Sequence, residues 1–330
     1  MRLVPQGFHK RGSSTPLRAV QGVAIVLAIA ALAACTPTQV APPHATTLPV
    51  DPQVPTPTAT AESSLSTTFA LITDYGNCDE GEQQVAEMVR SWPVRMIATA
   101  GDNTQSVTDC APYAQSVGAY YGSFLSGPDG PRFFPVPGNH DYENEGAGES
   151  AYLDYFPQLR AMNDDPRWYK VNSGNVNLFM LDSELSGADM GAQKAWLKSA
   201  LERARSEEPA FWNMVVFHRP PFSSGPHDPN TEMRPAAGWD YKNWGADLVV
   251  SGHQHVWEEL LVDGLPYVVA GVGASDIERE CPAALVPESK GCTAGWGAVL
   301  VSGYTDRLTL EYRAPDGASG AVKAGLTVTR

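Results

Sequence analysis

The stretch RMIATAGDNTQSVTDC (95–110) decides how this chain is read. A short apolar run, Met96 to Ala100, stops abruptly on Gly101-Asp102-Asn103. A near-continuous apolar run is the pattern of a strand covered on both faces, as in a parallel sheet. Such a strand has no packing reason to finish on a carboxylate.

The same pattern recurs along the chain. TTFALITD (67–74), RFFPVPGN (132–139), NVNLFMLD (175–182), NMVVFH (213–218) and DLVVSGH (247–253) all end on a polar, chemically capable residue. With Asp102, these ends are Asp74, Asn139, Asp182, His218 and His253. Helical patterns lie between the strands. One runs over 78–92, with early acids and apolar Val85, Met88, Val89 and Trp92. Another runs over 187–206, with Ala192, Ala195, Trp196, Ala200 and Ala204 and late arginines, the charge order that a helix dipole favours. Alternating strands and helices predict an α/β fold, and ligands bind such sheets at the carboxyl ends of the strands. Beyond His255 the helical patterns give way to EELLVDG, PYVVAGV, GAVLVSG and RLTLEYR, which read as antiparallel strands or hairpins.

The amino-terminal segment stands apart. Arg2, Lys10, Arg11 and Arg18 precede the apolar run VQGVAIVLAIAALAA (20–34), which ends in small residues before Cys35. This is the layout of an export signal, and the run is short for a membrane span of ~20 residues. Leu32-Ala33-Ala34-Cys35 resembles the lipobox of bacterial lipoproteins, which implies cleavage before Cys35 and lipidation of it. The expected organisation is a signal peptide over 1–35, a Pro/Thr-rich tether over 36–64 and one folded domain over 65–330. The tether composition suits an extended spacer. Export with a lipid anchor in the bacterial cell envelope follows from that reading.

The formal net charge is −14, and removing the four basic residues of the leader leaves −18. A surface this acidic argues against nucleic-acid polymers as partners. Apart from Cys35 there are four cysteines, Cys78, Cys110, Cys281 and Cys292. In an exported protein an even number implies two disulfides, with three possible connectivities. Cys281 and Cys292 bracket one loop, and their pairing leaves Cys78 with Cys110.

Of seven histidines, His140, His218, His227, His253 and His255 all lie at strand ends or just beyond them. Carboxylate, amide oxygen and imidazole together suit Mn, Fe or Zn. The ordered set Asp74-x-Gly76, Gly101-Asp102-Asn103, Gly138-Asn139-His140-Asp141, His218 and Gly252-His253-x-His255 resembles the calcineurin-like metallophosphoesterases. Asp-x-Gly in the first motif makes it most similar to the purple acid phosphatase branch.

The resemblance implies a four-layer α/β/β/α sandwich, two metal ions and a small phosphorylated substrate. It assigns Asp102 as the ligand shared by both metals, Asp74 and His255 to the first, and Asn139, His218 and His253 to the second. His140 and His227 would sit at the substrate phosphate, with Asp141 orienting His140 or capping a turn. Asp182 reads as a supporting residue, and Tyr142, Trp244 and Trp257 as core or pocket wall. Phosphoryl transfer needs an activated water and neutralised oxygen charge, which a metal pair supplies.

One position departs from the branch. Its second motif reads Gly-Asp-x-x-Tyr, where the tyrosine binds ferric iron and gives the colour; Gln105 holds that place here. Losing an anionic donor favours two divalent ions, Mn, Zn or Fe(II), and a colourless protein. Tyr75 and Tyr113 are nearby tyrosines that could substitute. The leading expectation is an acid-phosphatase-like phosphomonoesterase. A phosphodiesterase acting on nucleotides and a non-catalytic metal-binding lipoprotein are the alternatives.

Overall fold

A computed structural model describes residues 64–105, 109–143, 148–273 and 280–330. The leader, Cys35 and nearly all of the tether lie outside the described residues. Among them no helix is long and apolar enough to cross a membrane.

Two sheets form the centre. The first has six strands in the order β13-β12-β11-β1-β2-β3. These are β1 (Leu65–Ile72), β2 (Ile97–Thr99), β3 (Phe133–Phe134), β11 (Ala298–Tyr304), β12 (Arg307–Ala314) and β13 (Ala321–Thr329). The second has seven, ordered β10-β8-β9-β7-β6-β5-β4. These are β4 (Tyr169–Ser173), β5 (Val176–Met180), β6 (Trp212–Val216), β7 (Leu248–Ser251), β8 (Trp257–Val262), β9 (Leu265–Ala270) and β10 (Ser289–Thr293). β1 to β3 run parallel, as do β5, β6 and β7. The strands after His255 pair antiparallel with one another, apart from the parallel β7–β9 contact.

The layering follows from which residues share a core. Leu178 and Met180 of β5 join Met214 and Val216 of β6 and Phe69 and Leu71 of β1 in one cluster. Their neighbours Phe179, Val215 and Val249 face the other way, into a second cluster with Leu197 and Leu201. Strand side chains alternate between faces, so the second sheet is covered on both. The main helices are α1 (Glu80–Ser91), α2 (Ala119–Leu125), α3 (Asn139–Glu143), α4 (Glu149–Tyr155), α5 (Gly187–Glu207) and α6 (Tyr241–Trp244). Val85, Ala86, Met88 and Val89 of α1 close the first sheet's core, while α5 and α6 close the second. The result is the expected α/β/β/α sandwich.

Both disulfides form, Cys78–Cys110 and Cys281–Cys292. Asp79 caps α1 by accepting from the Glu82 amide at 2.7 Å. In α5 the buried stripe is Met190, Gln193, Leu197, Leu201 and Ala204, while Ala192 and Ala195 are exposed. Gln193 is a buried polar residue with a task. Its Oε1 accepts from the Asp182 amide at 2.8 Å and its Nε2 donates to the Asp182 carbonyl at 2.9 Å, which pins the exit of β5.

Candidate metal centre

The chemically capable residues lie just beyond the strand ends. Asp74 is two residues past β1, Asp102 three past β2, His218 two past β6 and His253 two past β7; Asn139 opens α3. Asp74, Asp102 and His253 have φ of 55°, 50° and 71°. Non-glycine residues rarely take this left-handed conformation, and where they do the surrounding structure must hold them there. Here it does. The Asp74 amide donates to the Gly101 carbonyl at 3.1 Å and the Tyr75 amide to the Asp102 carbonyl at 3.2 Å, joining the two exit loops. The Gly252 amide likewise reaches the His218 carbonyl at 2.9 Å.

Two glycines make room for the close approach. A Cβ on Gly138 would overlap the Asp102 carboxylate, and one on Gly252 would overlap Thr73 and the Asp74 carboxylate. Only glycine leaves that space.

Four ligand atoms then meet around His218. Its Nε2 lies 3.1 Å from Asn139 Oδ1, 3.2 Å from Asp102 Oδ2 and 3.2 Å from His253 Nδ1. Its Nδ1 lies 2.9 Å from the Ala100 carbonyl and so carries a proton, which leaves Nε2 for the cluster. The same hydrogen bond to a second group orients metal-bound histidines in general. His255 Nε2 lies 3.5 Å from Asp74 Oδ1, which in turn accepts from the His253 amide at 2.9 Å. The arrangement gathers acceptor atoms with little hydrogen to share, and a cation satisfies them all. These residues therefore fit a metal group: Asn139, His218, His253 and Asp102 converge on one side, and Asp74 with His255 on the other.

The charges agree. His253 is pushed down to about 2 by burial and by its charged neighbours His218 and Arg219, so its ring is neutral. Burial opposes charge on His218, but the Asp102 carboxylate outweighs it and pushes the ring up to about 10. A proton thus stands where a cation would. For Asp74, burial is outweighed by His255 and His218, and its carboxyl lies well below the usual range.

Of the two roles open to Asp141, the structure shows the turn cap. Its Oδ2 accepts from the amides of Gly138 at 2.7 Å and Asn103 at 3.1 Å and from Asn103 Nδ2 at 3.0 Å, and its Oδ1 from Tyr113 Oη at 2.9 Å. A carboxylate filled by four donors is a loop knot, and Asp141 does not line the cavity. Asn103 completes the knot: its Oδ1 accepts from Tyr75 and Thr99, both at 2.8 Å, and its Nδ2 also reaches the Val136 carbonyl. Tyr75 and Tyr113 are therefore committed elsewhere, and burial holds both hydroxyls protonated. Neither stands in for the missing tyrosine. Gln105 Nε2 instead faces Asp102 Oδ2 at 3.4 Å.

Asp182 is a supporting residue, as read. It accepts from Tyr142 Oη at 2.5 Å and from the Glu184 amide at 2.8 Å. Trp244 and Trp257 are core residues.

A cavity of about 340 Å³ opens over the cluster, lined by Asp102, Gln105, Asn139, His140, Arg219, His227, Asp228, His253 and His255. His140 is held at its backbone, where the amide donates to Asp102 Oδ1 at 3.0 Å. The ring of His227 lies 4.9 Å from that of His253, centroid to centroid. Two residues absent from the motif reading hold its loop. Gln254 grips the His227 backbone through Oε1 at 3.1 Å and Nε2 at 2.6 Å. Buried Glu258 accepts from Ser223 Oγ at 3.1 Å and from the Ser224 amide at 2.9 Å. Both lie in SGHQHVWEEL (251–260), next to the histidines they serve.

The model of the calcineurin-like phosphoesterase family matches residues 67–257, more than half of the chain. The chain belongs to that family. A protein of Mycobacterium tuberculosis strain H37Rv is 28% identical over 149 residues, 38% of this chain and 27% of its own length. The chain thus aligns with about a quarter of the length of that curated relative. Among solved structures, purple acid phosphatase PPD1 from yellow lupin superposes with a TM-score of 0.60 at 15% identity, over 82% of this chain and 54% of that one. A dimetal phosphatase from Danio rerio gives 0.59 at 15%, over 81% and 99%. GAP50, the anchor in the inner membrane complex of Plasmodium, gives 0.60 at 17%, over 81% and 89%. At these identities the superpositions establish the shared fold.

Proposed function

We propose that this chain hydrolyses small phosphate monoesters at a centre of two divalent ions held by Asp74, Asp102, Asn139, His218, His253 and His255. The observation that carries the reading is the convergence of Asp102, Asn139, His218 and His253 atoms within 3.2 Å of His218 Nε2. Bound there, a pair of divalent ions supplies a nucleophilic water and neutralises the oxygens of the substrate phosphate. The protein does the rest. Asp102, flanked by both groups of donors, sets their spacing. His140 and His227 line the cavity where a leaving oxygen gathers charge, and an imidazole there can act as the general acid. Gln254 and Glu258 keep His227 in place.

The metals are Mn, Zn or Fe(II). Tyr75 and Tyr113 are committed to Asn103 and Asp141, and Gln105 offers only a neutral amide. The phosphatases of yellow lupin and Danio rerio share the fold and support the reading. We further propose that export and lipidation at Cys35 tether the domain to the bacterial envelope.

Gln105 also favours a second reading, a metal-binding lipoprotein without catalysis, and the fold serves an anchor in the Plasmodium structure. One assay separates these from a phosphodiesterase: p-nitrophenyl phosphate against bis-p-nitrophenyl phosphate, with Mn, Zn or Fe, for wild type and Asp102→Ala. The proposal expects wild-type turnover on the monoester and its loss in the variant. Metal binding without turnover on either substrate would leave the non-catalytic reading standing.

A further inference from the structure

Three residues lining the cavity have no part in the scheme above: Gln105, Asp228 and Arg219. Gln105 is turned to Asp102, and Asp228 is exposed at the rim. Arg219 differs from both. It is the one permanent cation among the cavity-lining residues, its side chain is 29% exposed, and it follows His218 directly.

Its placement is built. The backbone amide donates to Ser183 Oγ at 2.9 Å. Nε lies 3.0 Å and 2.8 Å from the two oxygens of Glu184, which fixes the plane of the guanidinium. Nη1 lies 3.1 Å from His253 Nε2, so the charge lies one imidazole ring away from the atoms gathered at His218. Nη2, which carries two of the five guanidinium hydrogens, has no acceptor among the described residues. A guanidinium held on one edge and open on another is a receptor for a planar or tetrahedral anion.

In the proposed scheme the transferred phosphate is held by the two ions and by His140 and His227, which line the same cavity. We propose that Arg219 anchors a second anionic group of the substrate, so that the preferred substrates are short phosphate monoesters bearing a carboxylate or a further phosphate a few bonds from the ester oxygen. This rests on the phosphoesterase reading and narrows its substrate class. Glu184 sets the direction of the anchor.

The test uses two probes whose C–P bonds resist hydrolysis: phosphonoacetate, which carries the second anion, and methylphosphonate, which lacks it. Calorimetric binding to the full, Mn-loaded chain is compared for wild type, Arg219→Gln and Arg219→Lys, with metal content measured on each. Wild type should prefer phosphonoacetate by tenfold or more. Arg219→Gln should bring the two probes within twofold at unchanged metal content, and Arg219→Lys should recover part of the preference. Three results overturn the proposal: no preference in wild type, no binding of either probe, or equal weakening of both probes in Arg219→Gln with loss of metal. The last would make Arg219 a positioning residue for His253. Turnover of p-nitrophenyl phosphate by the same wild-type preparation keeps the two ideas apart. Activity without preference sinks the anchor alone, and preference without activity sinks the phosphoesterase reading alone.

Discussion

Glu82 sits on the first turn of α1 with no exposed surface. Its Oε2 accepts from the Cys78 amide at 2.7 Å, so it clamps the loop that leaves Asp74. Burial, with the nearby charge of Asp79, pushes its carboxyl from 4.5 up to about 8. The sign follows from proton binding. Between 4.5 and about 8 the folded chain holds a proton that the unfolded chain has released, so stability falls as pH rises through that window. At ~1.4 kcal/mol per pH unit the whole window is worth up to ~5 kcal/mol, and relaxation around the charge brings it nearer ~2–3 kcal/mol. Glu82→Gln imitates the protonated acid and removes the titration. Urea unfolding of both proteins, from about pH 5 to about pH 9, gives a difference curve in which every shared group cancels. Wild type should lose ~2–3 kcal/mol relative to the variant across that range. A difference flat within ~0.5 kcal/mol, or one in which wild type gains stability as pH rises, would refute the reasoning.

Three further outcomes follow from the geometry. Iron-loaded protein should lack an intense visible band, because Tyr75 and Tyr113 donate to Asn103 and Asp141 and stay protonated; a tyrosinate-to-iron absorption would contradict this. Gly138→Ala places a methyl group on the Asp102 carboxylate, so calorimetry should show at least ~10-fold weaker Mn binding, a loss of the size seen when groups that orient metal ligands are altered. Opening the Cys78–Cys110 bridge, which spans 32 residues, by a double change to serine should cost ~3–4 kcal/mol in urea unfolding. An unchanged midpoint would mean that the bridge does not constrain the unfolded chain.

The strands that carry the site were legible because each is a short apolar run stopping on a ligand-type residue, and the stops fall at the carboxyl ends of β1, β2, β5, β6 and β7. The motif order then placed Asp102 and the histidines together. Hydrogen bonds between distant loops leave no periodic trace, and there the reading left alternatives open. Asp141 read as orienting His140 or capping a turn, and its oxygens are filled by Gly138, Asn103 and Tyr113. The left-handed backbone at Asp74, Asp102 and His253 was equally invisible, since aspartate and histidine do not announce it as glycine does. β4 has only two buried positions and shows no alternation to detect. Its antiparallel partner β5 defines it. The alanines of 187–206 suggested a face that α5 exposes at Ala192 and Ala195, while polar Gln193 is buried because it holds Asp182.

The central claim is that Asp102 is shared by two metal ions. Reconstituting the purified chain with Mn and counting bound metal by mass spectrometry tests it most directly. The account predicts two ions per wild-type chain and loss of both tight sites in Asp102→Ala. A variant that still binds two ions would contradict it, as would a wild type that binds none.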